Sequence, residues 1–290
     1  MIVNKGSFLQ LVALTVVLTG TTGQLARAED PVTQHGSESG NCARSAFRVL
    51  IDVGHTATSP GADSARGVPE YEFNLKLADV IAQSLHEAGF DKTIRLVTSG
   101  SRRGSLFQRA ASANSLQGDL FVSIHHDSVP DNLKETWQYE GKKLSYSDRF
   151  SGYAIFVSND NADRAASLAF GHSLGQELQK RGLRYTPHYT LPLMGRYRHE
   201  LIDGEAGVYR YDHLIVLHAV HMPTFLLEAG SIINRQEELE LATPERRLMV
   251  AEAVTGQLPS KPASVPITKV RRGIRPAPIS HPKHIRSAKT

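Results

Sequence analysis

The chain has 290 residues, 33 Lys and Arg against 29 Asp and Glu, and a formal net charge of +4. Hydrophobic content of 40% with 21% charged residues gives material for a real core and excludes a disordered or fibrous protein. One cysteine, Cys42, excludes an intramolecular disulfide, so stability must come from packing or a metal.

Residues 1–28 contain no acid, have Lys5 ahead of an apolar run from Phe8 to Leu18, and end Ala26-Arg27-Ala28. This is the pattern of a cleaved secretory signal peptide, too short in its apolar part to remain as a transmembrane anchor. An exported protein, secreted to the periplasm or cell envelope, is expected. Residues 29–45, rich in Gly, Ser, Gln and Asn, read as a flexible linker that includes Cys42. Residues 46–256 hold the folded domain. Residues 257–290, with eight Lys or Arg, six Pro and no acid, read as a disordered basic tail. Without the tail's eight and the leader's two basic residues, 23 remain against 29 acidic ones. The basic pI therefore belongs to the tail, and no nucleic-acid partner is expected of the domain. The tail is expected to contact anionic envelope polymers or lipid headgroups.

Within the domain, Phe47–Val53 reads as a strand, followed by a Gly-containing turn from Gly54 to Gly67. A helix is predicted from Pro69 to Ala88, with Phe73, Leu77, Ile81 and Leu85 on one stripe and Gly89 to end it. Thr93–Val97 is a second strand, Ser105–Leu116 a helix and Leu120–Ile124 a third strand. Tyr153–Val157 is a strand, Ala162–Arg181 a helix, Thr224–Leu227 a late strand and Gln236–Val254 a closing helix. Such alternation argues an α/β domain with a mostly parallel central sheet flanked by helices on both faces. The stretches 128–152 and 184–212 are long for simple connections.

The chemistry falls where strands end. Leu120–Ile124 runs into His125, His126 and Asp127, and the first strand runs through Gly54 into His55. Glu70 opens the first helix behind Pro69, where a carboxylate suits the dipole. Glu228 follows the apolar run of the late strand. A parallel sheet carries its chemistry at the carboxyl edge, so these two imidazoles and two acids would gather on one rim. Two His and one carboxylate with an open position make a catalytic zinc set, and a further carboxylate would serve as general base.

Asp52-x-Gly54-His55, Glu70-Tyr71-Glu72-Phe73-Asn74-Leu75, Leu106-x-x-Arg109 with Ala113-Asn114, Ser123-Ile124-His125, and Leu227-Glu228-x-Gly230 with Asn234 and Glu237 occur in this order. Together they resemble the zinc-dependent N-acetylmuramoyl-L-alanine amidases whose catalytic domain is a single α/β unit. The resemblance covers about Val49 to Glu252. It implies that His55, Glu70 and His125 ligate Zn2+ and that Glu228 is the catalytic carboxylate. The implied reaction is hydrolysis of peptidoglycan at the amide joining the N-acetylmuramic acid lactyl group to L-alanine. It also implies a protein activator as a partner, because some relatives cover the zinc with an inserted helix; Glu135 or Glu140 would be the covering acid here. Val53, Thr56, His126 and Asp127 depart from the family's usual Pro, Gly, small residue and Asn.

Two other readings stay open. Gly171-His172-Ser173-Leu174-Gly175 matches a nucleophile elbow, with Asp203 or Asp212 and His218 or His221 following, which would make a serine hydrolase using Ser173. That motif needs a strand before the Ser, whereas the preceding residues are helical in character. The third reading is a non-catalytic cell-wall-binding domain, against which the presence of all four site residues argues. His86 and His172 read as surface or packing residues, and Trp137 as a packing residue or a sugar-stacking one.

Overall fold

A computed structural model of the chain describes residues 44–258. The expected signal peptide, nearly all of the expected linker with Cys42, and the tail from residue 259 onward lie outside the described residues.

The backbone alternates as the apolar pattern requires. Strand β1 (Val49–Val53) leads through a long turn to α1 (Glu70–Glu87), then β2 (Ile94–Leu96), α2 (Arg102–Leu116) and β3 (Leu120–Asp127). A hairpin of β4 (Glu135–Tyr139) and β5 (Lys142–Tyr146) follows, then β6 (Ala154–Val157) and α3 (Arg164–Lys180). After two short 3-10 turns come β7 (Glu200–Asp203), β8 (Val208–Arg210), α4 (Ile215–His218), β9 (Thr224–Ser231), α5 (Glu237–Leu241) and α6 (Pro244–Gly256).

Seven strands form one sheet in the order β2-β1-β3-β9-β6-β8-β7. The β2-β1-β3-β9 run is parallel, β9 pairs antiparallel with β6, and β6 with β8 is parallel again. The central strands are apolar on both faces because both are covered. Val49, Ile51, Leu120, Val122, Phe225 and Leu227 pack under α1, α3 and α6. Leu50, Phe121 and Leu226 point the other way, toward α2 and α4. The α/β expectation holds, with its mostly parallel sheet and helices on both faces.

Several boundaries differ from the sequence reading for local reasons. The segment from Gln236 to Val254 is two helices, because Thr243 caps a new helix whose first residue is Pro244. Helix α2 begins at Arg102 because Ser101 caps it, accepting from the Gly104 amide. Both long connections carry structure: the first holds the β4-β5 hairpin, and the second extends the sheet with β7 and β8. Strands β3 and β9 run past Ile124 and Leu227, so His125 and Glu228 lie within the sheet rather than beyond it.

Helix α3 settles the elbow motif. Ser173 sits in its interior, with no strand preceding it. Gly175 is there for approach: a Cβ would lie 2.1 Å from the Ala206 carbonyl oxygen. His172 Nδ1 sits 2.6 Å from Asp203 Oδ2 and pins β7 to the helix. His218 and His221 are exposed on the α4 side, away from Ser173's helix interior.

Candidate active site

The carboxyl edge of β1, β3 and β9 is where the sheet collects polar groups. Glu70, the first residue of α1, reaches over the rim between two imidazoles. Its Oε2 lies 2.9 Å from His55 Nε2, and its Oε1 lies 2.9 Å from His125 Nδ1. One donor atom from each of His55, Glu70 and His125 falls within 4.8 Å of the others, the only such three-ligand group among the described residues. On β9, Glu228 is the register partner of His125. All four site residues read from the sequence are thus brought to one rim.

Each is held by chemistry already written in the chain. His55 adopts a left-handed backbone, φ 68°, which is costly for a residue with a Cβ and must be enforced by its surroundings. Buried Arg109 does so by donating to the His55 carbonyl, while its Nε donates to Thr98 Oγ1 at 3.1 Å and faces Asp52 Oδ1 at 3.5 Å. Asp52 in turn accepts from Ser123 Oγ at 2.7 Å, and burial raises its carboxyl to about 6. Asn74, one turn along α1, donates to Glu70 Oε1 at 3.1 Å and to the Gly54 carbonyl at 3.2 Å. Its own oxygen is 2.7 Å from Nδ1 of His126, which is buried behind the cluster.

The residues fit a metal. Two imidazole nitrogen donors and a carboxylate suit zinc, and burial pushes His125 down to about 4, keeping it unprotonated at neutral pH. Glycines form the cradle: a Cβ at Gly54 would lie 2.5 Å from the His125 ring, and one at Gly61 2.5 Å from Glu70 Oε2 and 2.8 Å from His55 Cδ2.

Glu228 differs from the other buried acids in its surroundings: the unbonded oxygens of Asp52 and Asp127 face Arg109 at 3.5 Å and His188 at 3.3 Å, whereas no basic side chain among the described residues pairs with Glu228. Its Oε2 is removed from solvent and accepts no hydrogen bond. Burial first, then the charges of Asp127 and Glu70, hold its carboxyl well above the usual range. A carboxyl poised to accept a proton in a water-poor cleft is the profile of a general base.

Beside it lies a set of buried groups that sequence reading largely missed. Tyr189 donates to Asp127 Oδ1 at 2.7 Å, His188 Nε2 stands 3.3 Å from Asp127 Oδ2, and Thr186 Oγ1 is 2.6 Å from His188 Nδ1. Asp127 projects from the same strand face as His125, two residues away, which was a usable signal. Nothing local marks Tyr189, because the turn that carries it is positioned only by the tertiary fold. The hairpin does not supply a covering acid. Glu135 Oε2 accepts from Tyr146 at 3.0 Å, Glu140 sits in the hairpin turn, and neither joins the triad. Trp137 has a packing role: its Nε1 donates to the Ala65 carbonyl at 2.9 Å, and it stacks with Tyr139.

An α/β sheet with a His-Glu-His cluster and a partnerless carboxyl at its carboxyl edge defines the class of metal-centred hydrolases. Residues 49–258 match the N-acetylmuramoyl-L-alanine amidase family Amidase_3, and the chain belongs to it. It is therefore a peptidoglycan hydrolase that cleaves the amide between N-acetylmuramic acid and L-alanine. Among its relatives is N-acetylmuramoyl-L-alanine amidase AmiA of Escherichia coli, 26% identical over 259 residues that span 84% of this chain and 86% of that one. The fold is shared with the amidase Ami1 of Mycobacterium smegmatis, at TM-score 0.54 and 19% identity over 75% of this chain and 96% of that one. It is also shared with the CwlD amidase of Clostridioides difficile, solved in complex with the GerS lipoprotein, at TM-score 0.52 and 17% identity over 73% of this chain and 95% of that one.

Proposed function

We propose that the chain cleaves the lactyl–L-alanine amide with a zinc ion held by His55, Glu70 and His125 and with Glu228 as the catalytic carboxylate. The observation that carries this reading is the orphaned Glu228 Oε2, buried on the strand that is in register with His125. A zinc ion in that donor set would supply a Lewis acid for the carbonyl and lower the pKa of water toward neutrality.

The chain's residues do the rest. His55 and His125 present ring nitrogens, and Asn74 fixes the Glu70 carboxylate between them. Glu228 takes the proton from the attacking water with its carboxylate. Returning that proton to the L-alanine nitrogen lets the amine leave as the C–N bond breaks, so one residue serves first as base and then as acid. The sheet edge under Glu228 and the Tyr189–Asp127 pair behind it exclude water from its back.

The peptidoglycan substrate and the export signal agree with action at the cell envelope, in the periplasm or outside the cell. Among the described residues no helix is long and apolar enough to cross a membrane. A protein activator is the further partner this reading allows, since one amidase of the same fold was solved with a lipoprotein. The deciding experiment is release of stem peptide from purified peptidoglycan, with and without chelator. Free L-alanine amino termini that disappear with chelator and return with zinc are expected; cleavage that persists after complete metal removal would overturn the zinc assignment.

A further inference from the structure

Two surface segments that the fold ties to the site carry charge that no carboxylate of the described residues answers. Arg102 and Arg103 open α2, and this end is tied to the His55 turn because Thr56 Oγ1 and Thr58 Oγ1 both donate to the Gly100 carbonyl, at 2.9 and 3.1 Å. The turn Pro192–Tyr197, kinked at Gly195 with φ 54°, presents Arg196, Tyr197 and then Arg198. This second segment reaches the site through His199: its ring packs against Tyr211 at 4.4 Å and against Tyr189 at 5.5 Å, and Tyr189 donates to Asp127 two residues from His125. These elements overlie the sheet face from which Leu226 and Glu228 project.

All four arginines are exposed, and none forms an ion pair with a carboxylate of the described residues. Neighbouring Arg210, by contrast, is answered by Glu200 at 2.9 Å and Asp212 at 3.5 Å. Arg196 is steadied by Tyr197, donating to its hydroxyl at 2.7 Å and lying over its ring, but no carboxylate of the described residues answers the charge of any of the four. The planar fork of Arg matches a carboxylate in two-point geometry, which a diffuse electrostatic surface would not require.

We propose that Arg102, Arg103, Arg196 and Arg198 form a carboxylate-recognition rim that reads the free carboxylates of the stem peptide beside the scissile amide. They are specificity residues, acting on binding rather than on bond cleavage, and the inference rests on the amidase reading above. The ligand class is an acidic peptide whose second residue carries a free carboxylate next to L-alanine.

The test compares N-acetylmuramoyl-L-Ala-γ-D-Glu with its counterpart amidated at that carboxylate, using the zinc-loaded full chain. Wild type is expected to show a KM about tenfold lower for the free acid, as charge-assisted pairs imply. Arg102→Gln and Arg198→Gln are expected to erase that preference through KM while kcat changes little. Arg164→Gln, on α3, serves as the control and should keep the preference. Equal KM for the two substrates in wild type, or equal weakening of both in the variants, would overturn the rim. A second arm measures binding of the dipeptide L-Ala-γ-D-Glu and its amide by calorimetry. Absence of cleavage with a retained, arginine-dependent binding preference would sink the amidase reading but sustain the rim. Absence of any binding preference would overturn the rim whatever the turnover.

Discussion

His125 and Glu228 are register partners on adjacent parallel strands, β3 and β9. Register partners on parallel strands point to the same face, so the sheet itself sets a proposed metal ligand beside the proposed base without help from a loop. Glu228→Gln keeps the shape and burial but removes the proton acceptor. It is expected to lower kcat by roughly 10²–10⁴-fold, the usual worth of general acid–base catalysis. Zinc content, measured by plasma emission, should stay at the wild-type level. Retained turnover would move the base elsewhere, and lost zinc would make Glu228 a ligand instead.

Asn74 is the residue through which α1 controls Glu70. Its amide holds the Glu70 carboxylate and the Gly54 carbonyl together, joining the first helix to the turn that presents His55. Asn74→Ala is expected to weaken zinc affinity about 10–100-fold, as loss of a group that orients a ligand does. Competition against a chelator dye reads this directly. Activity at saturating zinc should recover most of its wild-type value, and failure to recover would mean that Asn74 acts on more than ligand orientation.

Ser173 lies inside α3, where its hydroxyl cannot be presented on a strand-to-helix turn. Ser173→Ala is expected to leave turnover within about twofold and stability within ~0.5 kcal/mol, as for substitutions away from special features. An inactive but folded variant would reopen the serine-hydrolase reading.

How much of this was legible beforehand follows from which forces are local. The strand-helix alternation and the candidates His55, His125 and Glu228 were readable because apolar runs ending in His or Glu are one-dimensional signals, whereas Glu70, at a helix start, was picked out by the family resemblance. Gly171 and Gly175 lie four apart on one helical face, a spacing that permits close packing, and a Cβ at Gly175 would meet Ala206. Strands β7 and β8 were not readable, since Glu200–Asp203 and Val208–Arg210 are only four and three residues long. The long closing helix was misread because its apolar pattern continues through Thr243-Pro244, where the cap starts a second helix. Tyr189 carries no sequence signal for contact with Asp127, 62 residues away, because the pairing exists only once the sheet is assembled.

The glycine contact on α3 yields a prediction that separates fold from site. A Cβ at Gly175 would meet the Ala206 carbonyl and Cβ at 2.1 and 2.6 Å, both on the chain leading into β8. Neither can yield as a flexible side-chain end could, so Gly175→Ala is expected to cost ~1–3 kcal/mol by overpacking. Urea denaturation should show the lower midpoint, while the folded fraction keeps wild-type zinc affinity, because α3 contributes no ligand. An unchanged midpoint would show that the helix can move away from the sheet without cost.

His126 gives the pH prediction. It is buried between α1 and β3, against the ring of Phe73 and the Asn74 oxygen, and burial pushes it down to about 3. The unfolded chain takes up a proton near 6.5, while the folded chain refuses it until about 3. The unfolded state therefore binds more protons in this window, so stability is fully present above about pH 6.5 and is lost as the pH falls toward 3. The loss is ~1.4 kcal/mol per pH unit for one such group. His126→Gln removes the titrating group and keeps a polar side chain facing Asn74. In chelator, wild type is expected to lose about 2 kcal/mol more than the variant between pH 6.5 and 5, read from paired urea denaturation curves. Parallel losses in the two proteins would mean that His126 is protonated in the folded state, with its ring reachable from solvent despite the packing of Phe73.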